Sequence, residues 1–275
     1  MAKVALEDSF LDIVRKALAY GQLTARIGDE ALASQSGIPI EIWRELKNGV
    51  WNETYGPRAA AFLGLNARAL SEIAHESWHP GEIFVSNLYQ CVTSFSPTSV
   101  NAYVLWNLET RDAMIVDTGM DAGPLLDFIE EKSLKVKMIL LTHSDGDHIF
   151  ELDRLMEKTA APAFIHAREH LAGTLPLEEG SELYLGNWKI DILETPGHTP
   201  GSLTYLVRGL QPWIAFTGDA LMAGTIGKVR GDFSTARSIL RQKVLSLPED
   251  TILAPGHGPL STVKAEKRHN PFLAE

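Results

Sequence analysis

The chain has 275 residues, with 25 Lys plus Arg against 35 Asp plus Glu, a formal net charge of −10 at pH 7. With 45% apolar and 22% charged residues it has the composition of an ordinary soluble globular protein, which excludes disordered, collagen-like and coiled-coil chains. An acidic chain is repelled by phosphate backbones, which argues against nucleic acid as the main partner while leaving room for a local basic face. No run approaches the ~18 consecutive apolar residues of a membrane span. The acids of MAKVALEDSF stand where a signal peptide carries its apolar stretch, so no membrane partner and a cytoplasmic location are expected. The lone cysteine, Cys91, has no partner for a disulfide and reads as a small buried hydrophobe.

Residues 8 to 75 read as helices. Asp8 to Tyr20 sets Phe10, Leu11, Val14 and Leu18 on one face and stops at Gly21, a residue favoured just past a helix end. A short helix over Asp29 to Gln35 ends at Gly37, and Ile38 and Pro39 open another that runs to Lys47 before Asn48-Gly49 breaks it. Two more fit Pro57 to Leu63 and Ala67 to His75. Around Ser77 to Gly81 the helical period disappears, and from Ile83 short β-rich runs alternate with turns. Two domains are expected, a small all-α bundle over 1–79 and an α/β domain over 80–275.

The first region resembles the lambda-repressor-like helix-turn-helix family over about fifty residues, through Leu32-Ala33, Gly37, Ile42, Leu46, Ala61 to Leu65 and Leu70. In that family the third helix enters the major groove. Here it carries Glu41 and Glu45 beside Arg44 and Lys47, and residues 1–79 hold eight basic against ten acidic side chains, a net of −2. DNA is therefore the disfavoured partner. A bundle that packs on the rest of the chain, or on a second subunit in a homo-oligomer, is preferred.

The second region repeats one arrangement four times. Met138 to Leu141 runs into Thr142-His143-Ser-Asp145-Gly-Asp147-His148, and Ile190 to Leu193 into Thr195-Pro-Gly-His198. Trp213 to Phe216 runs into Thr217-Gly-Asp219, and Thr251 to Ala254 into Pro255-Gly-His257. Each is an apolar strand, a tight turn and a metal-type ligand. Ligand-bearing groups gather beyond the carboxyl ends of strands, so seven N and O donors can converge there. If the first loop is extended, His143, Asp145 and Asp147 point to one side and His148 to the other. Asp117, in MIVDTG, follows the same pattern and is expected to orient ligands by hydrogen bonding. His75, His79, His166, His170 and His269 lack the pattern and are expected to be structural.

On the segments IVDTG, THSDGDH, TPGHTPGS, FTGDALMAGTIGK and APGHGPLSTVKAEKRHNPF, residues 83 to 275 resemble the metallo-β-lactamase superfamily, and within it the glyoxalase II-like (hydroxyacylglutathione hydrolase-like) branch. The resemblance implies an αββα sandwich with metals at one sheet edge. It implies His143, His198 and Asp219 as ligands of one metal, and Asp147, His148 and His257 as ligands of a second, with Asp219 bridging. The cofactors implied are two divalent transition-metal ions, zinc, iron or manganese. The family writes His-x-His-x-Asp-His, and Asp145 replaces the second His. A carboxylate there favours iron or manganese over zinc if it coordinates. Three outcomes stay open: Asp145 binds the first metal, it steps back and leaves a two-His-one-carboxylate face, or the first site is weakened.

A divalent ion generates a strong nucleophile from water at neutral pH. No Ser-His-Asp or Cys-His arrangement competes with it. The expected function is hydrolysis of a small acyl thioester or ester, with Asp147 orienting the attacking water. Lys228 and Arg230 are candidate substrate-binding residues, since Lys228 falls where the glyoxalase II pattern carries a basic residue for a glutathione carboxylate. Glyoxalase II enzymes complete their thiol-peptide site with a C-terminal helical extension, whereas the helical region here is N-terminal, so that site does not transfer directly. The alternatives are a non-haem iron enzyme similar to persulfide dioxygenases, a di-iron redox enzyme, or a metabolite-sensing DNA-binding regulator.

Overall fold

The computed structural model describes residues 5–20, 28–95 and 98–274. Five helices come first: α1 (Phe10–Tyr20), α2 (Asp29–Ser36), α3 (Ile40–Lys47), α4 (Gly56–Phe62) and α5 (Ala67–Ala74). Helix α1 starts two residues later than its apolar period suggests, because Ser9 and Asp12 cap it reciprocally. Asp12 accepts from the Ser9 amide at 3.1 Å, and the Asp12 amide donates to Ser9 Oγ at 3.3 Å. Asp8 is left free to pair with Lys16 and to accept from Thr225 Oγ1. The expected stop at Gly21 lies outside the described residues.

The rest of the chain forms two six-stranded sheets. The first runs in sequence order through β1 (Leu88–Phe95), β2 (Thr98–Trp106), β3 (Asp112–Val116), β4 (Lys135–Leu140), β5 (Ala163–His166) and β6 (Leu175–Leu177). Helices α6 (Gly123–Glu131), α7 (Gly146–Ile149) and α8 (Leu152–Thr159) interrupt it. The second sheet holds β7 (Glu182–Leu185), β8 (Trp188–Glu194), β9 (Leu203–Arg208), β10 (Ile214–Gly218), β11 (Ile252–Pro255) and β12 (Ser261–Thr262), also side by side in sequence order. Helices α9 (Phe233–Ile239) and α10 (Val263–His269) flank β11 and β12 in the chain. Strands β3 to β6 are parallel, as are β10 and β11, so several carboxyl ends open on one edge. Residues 83–87 are not paired as a strand, although Ile83 and Val85 still pack on the inner core.

Period-two alternation divides the apolar residues into three layers. Tyr103 and Leu105 of β2 face the space between the sheets with Ile190, Tyr205 and Phe216, while Ala102, Val104 and Trp106 turn outward to meet Leu125, Leu152 and Leu155 of α6 and α8. On the other side, Leu206, Ala215 and Leu253 of the second sheet share one cluster with Phe10, Ile13, Trp43, Leu46 and Leu70 of the N-terminal helices. The layers are those of an αββα sandwich, and the helices of residues 10–74 form part of its outer covering. Polar contacts reinforce this packing. The Asn66 amide donates to the Pro271 carbonyl at 2.8 Å, and His269 meets Glu72 at 2.5 Å and stacks on Trp78. No described helix is long and apolar enough to cross a membrane.

Removing residues 1–80 should bare the apolar outer face of the second sheet. A fragment beginning at Gly81 is expected to aggregate or to lose its cooperative unfolding transition, as read by light scattering and thermal denaturation. A monomeric fragment with the melting temperature of the full chain would contradict the shared core.

Candidate metal centre

All four expected strand ends deliver their side chains to one edge of the sandwich. His143 follows β4, His198 follows β8, Asp219 follows β10 and His257 follows β11. Two groups result, His143 with His198 and Asp219, and Asp147 with His148 and His257, each with donor atoms within 4.8 Å of one another. The partition is the one the family resemblance implies. The extended-loop expectation is corrected: Gly146–Ile149 is a single helical turn, so Asp147 and His148 leave it together and join the same group. Asp145 precedes that turn in extended conformation, and its carboxylate stays with the first group. Asp219 stands between the groups, its oxygens 3.3 Å from Nε2 of His148, 3.4 Å from that of His257 and 3.5 Å from that of His198.

Each imidazole is oriented through the nitrogen that faces away from the cluster. Nδ1 of His148 is 2.9 Å from Asp117 Oδ2, that of His257 is 2.6 Å from the Ser99 carbonyl, and that of His198 is 3.0 Å from the Lys228 carbonyl. Nδ1 of His143 lies 3.0 Å from Thr142 Oγ1, whose hydroxyl donates to Asp117 at 2.8 Å. Asp117, held at a left-handed φ of 56°, therefore supports two histidines at once. The outcome is that every Nε2 faces inward, as metal-bound imidazoles require.

A fit to cations can be judged from what these atoms lack. His143 Nε2, His148 Nε2 and Asp219 Oδ1 are buried and have no hydrogen-bond partner. Buried polar atoms are almost always satisfied, and three orphans shared between the two groups mark a place prepared for ions. Burial pushes the His143 imidazole down to about 4, so it presents a lone pair at neutral pH. His148 and His257 move the other way: burial opposes their charge, but Asp117 and Asp219 around His148, and Asp147 and Asp219 around His257, more than offset it. Asp219 is held well below the ordinary carboxylate range by those histidines despite its own burial. The carboxylates of the cluster thus demand positive charge, the condition in which divalent ions replace protons.

Two glycines allow the donors to approach. A Cβ on Gly256 would lie 2.2 Å from Asp219 Oδ1 and 2.6 Å from Cε1 of His148, and one on Gly227 would lie 2.0 Å from the Asp219 carbonyl oxygen. Gly256 is needed for space rather than for turn geometry, which strand-and-turn patterning does not distinguish.

The substrate candidates lie on the rim. Lys228 and Arg230 are both exposed. Lys228 contributes its carbonyl to His198, while Arg230 grips Asp145 with two nitrogens, one at 3.1 Å. Asp145 Oδ2 is also 3.0 Å from Nε2 of His198 and 3.8 Å from that of His143. Hydrogen bonding to His198 and Arg230 holds Asp145 far below the usual carboxylate range. Among the histidines expected to be structural, His75 pairs with Glu53, His166 with Glu194 and His269 with Glu72.

Two contributors gave no signal in the sequence. Glu169 accepts from Ser144, Thr199 and the Gly201 amide, tying the first histidine loop to the second. The segment around Glu7 passes over Gly258, beside His257, where a Cβ would meet the Glu7 amide at 3.4 Å. Both act across large sequence separations, which local pattern cannot register.

The metallo-beta-lactamase superfamily model matches residues 96–257, more than half of the chain and beginning after the five N-terminal helices. The chain is 33% identical over 201 residues to the probable metallo-hydrolase YqgX of Bacillus subtilis, covering 64% of this chain and 93% of that one. It is 35% identical over 207 residues to the hydroxyacylglutathione hydrolase GloC of Haemophilus influenzae, covering 66% and 95%. The crystal structure of ETHE1 from Myxococcus xanthus superposes with a TM-score of 0.61 at 29% identity, covering 68% of this chain and 84% of that one.

Removing the support at Asp117 should weaken ion binding without removing a donor. Asp117→Asn is expected to lower metal affinity about 10- to 100-fold, read by competition with a chromophoric chelator. His198→Ala and Asp219→Ala should each lose most of the bound metal on elemental analysis, and wild-type content in both would exclude the cluster as an ion site.

Proposed function

The chain belongs to the metallo-beta-lactamase superfamily, and from that premise we propose that it hydrolyses a small acyl thioester or ester with two divalent transition-metal ions. The observation that carries this reading is the completeness of both groups, with Asp219 shared between them. His143, His198 and Asp219 would hold one ion, and Asp147, His148, His257 and Asp219 the other. Ions so held make a bound water acidic, with a pKa near ~7, and polarise an acyl carbonyl.

The chain's own residues supply position. Asp147 carries a carboxylate oxygen 3.4 Å from His257 Nε2, where it can accept a hydrogen bond from the attacking water and fix its direction. Glu169 ties Ser144 to Thr199 and Gly201, holding the two histidine loops at a constant separation. Lys228 is exposed at the rim, where its ammonium is suited to a carboxylate remote from the scissile bond. Arg230 is engaged with Asp145, so its part in substrate binding depends on releasing that pair. The 35% identity to a hydroxyacylglutathione hydrolase supports an acyl thioester as the substrate class.

A second reading is favoured by Asp145 itself. Arg230 pairs with the Asp145 carboxylate beside the first group, and the donors that carry no such competing cation, His143, His198 and Asp219, are a two-His-one-carboxylate set of the kind that holds non-haem iron. The human relative named persulfide dioxygenase ETHE1 is 29% identical over 191 residues. Oxygen chemistry on a sulfur substrate is therefore the competing activity.

Parallel assays separate the two. Release of thiol from acyl-glutathione or acyl-coenzyme A, without oxygen uptake, is the expected result, and oxygen consumption with a persulfide and no ester or thioester turnover would reverse it. Lys228→Ala should raise KM with little change in kcat, since only uniform binding is lost. Asp145→His should move the bound metal toward zinc, because imidazole suits zinc and carboxylate suits harder ions. An unchanged metal profile would show that Asp145 does not coordinate.

A further inference from the structure

Tyr20, the last residue of α1, reaches from the N-terminal helices to the backbone that orients His198. Its hydroxyl accepts from the Val229 amide at 2.8 Å and donates to the Gly227 carbonyl at 3.2 Å. The carbonyl of the intervening residue, Lys228, lies 3.0 Å from Nδ1 of His198. The Lys228 carbonyl and the Val229 N–H belong to one peptide group, which is planar with the two atoms on opposite edges. Tyr20 pins one edge of that plane and His198 donates to the other.

We propose that Tyr20 is a positioning residue for His198, fixing through the 228–229 peptide the orientation in which Nδ1 carries the proton and Nε2 faces the metal cluster. The inference rests on His198 being a metal ligand, as proposed above. Three further observations support it. The Tyr20 ring is itself immobilised, stacked on Phe233 at 5.1 Å with an interplanar angle of 13° and set against Phe272 at 6.3 Å. One helical turn earlier, Lys16 donates to the Ile226 carbonyl at 2.9 Å and pairs with Asp8, which accepts from Thr225. Helix α1 and its leading segment thus hold residues 225, 226, 227 and 229 in succession, and of these described contacts the one to the peptide that His198 uses is made by Tyr20. Burial pushes the Tyr20 hydroxyl up to about 12, so it keeps the proton it donates to Gly227. Hydrogen bonds in such a chain polarise one another, so an N–H engaged at one edge makes the carbonyl at the other a better acceptor.

The test is Tyr20→Phe, which keeps the ring and deletes the hydroxyl, with Lys16→Met as the control that cuts another tie of α1 to the same loop. In the metal-free full chain labelled with 15N-histidine, wild-type His198 should show a protonated, hydrogen-bonded Nδ1. In Tyr20→Phe that signal should broaden or shift, and in Lys16→Met it should not. In zinc titrations one of the two ions should bind about ten- to hundred-fold more weakly to Tyr20→Phe, with the other little changed. Unaltered His198 resonances in Tyr20→Phe, equal weakening of both ions, or the same effects in Lys16→Met would overturn the proposal. So would a wild-type His198 whose Nδ1 carries no proton, whatever the variants do. A wild type that takes up no zinc but still shows the Tyr20-dependent His198 signal would strike the ligand assignment and leave the positioning role standing.

Discussion

The metal centre depends on a buried carboxylate having enough room to serve two groups of histidines. Asp219 lies within 3.3 to 3.5 Å of three imidazole nitrogens drawn from three different strand ends. Such crowding is tolerable only because the two flanking backbones carry no side chain, at Gly227 and Gly256. A methyl group at Gly256 would overlap Asp219 Oδ1, and one at Gly227 would overlap the backbone carbonyl of Asp219. The architecture of the edge follows from this: β10 brings Asp219, parallel β11 brings Gly256 and His257 beside it, and the loop 224–230 folds back over both.

Collecting so many ionisable groups in a low-dielectric setting is costly unless each group has a fixed partner. The fold meets this by giving every imidazole one protein acceptor or hydroxyl partner on its outer nitrogen: the neighbouring Thr142 for His143, and Asp117, Lys228 and Ser99 from distant segments for His148, His198 and His257. The backbone that carries His257 is secured independently, since Asn101 and Tyr103 both donate to the Pro255 carbonyl, at 2.9 and 2.7 Å. These partners act by setting direction, so the inner nitrogens converge without depending on one another. Within the cluster, the three buried donor atoms left unsatisfied, His143 Nε2, His148 Nε2 and Asp219 Oδ1, are those an ion would complete.

The N-terminal helices bear on this centre from outside. Their apolar faces complete the outer layer of the second sheet, and α1 holds the loop that carries Lys228 and Arg230. Their basic residues are largely engaged at home. Arg44 and Lys47 both reach Asp29, Arg58 lies over Tyr55 and donates to the carbonyls of Ser36 and Gly37, and Arg68 donates to the Arg268 carbonyl. Each exposed pairing is weak, and on α3 both Arg44 and Lys47 share one acidic partner, Asp29.

The helices of the first region and the strand-turn-ligand segments of the second were legible in the sequence because both are local. Apolar periods of 3.6 and 2 mark which face is buried, and Gly, Pro and capping residues mark where an element stops. The donors were legible for the same reason, each standing a few residues after an apolar run. What the sequence left open was decided by contacts across the fold. The family resemblance already grouped Asp147 with His148 and His257, but local alternation pointed His148 the other way, and the helical turn at Gly146–Ile149 is the physical reason that they act together. Pairing Asp145 with Arg230 spans 85 residues, Glu169 reaches its partners from 25 to 32 residues away, and Tyr20 meets Val229 across 209. Local spacing determines which residue types stand at which strand end. Only the packed structure, by bringing distant backbones within hydrogen-bond range, determines which of them face one another.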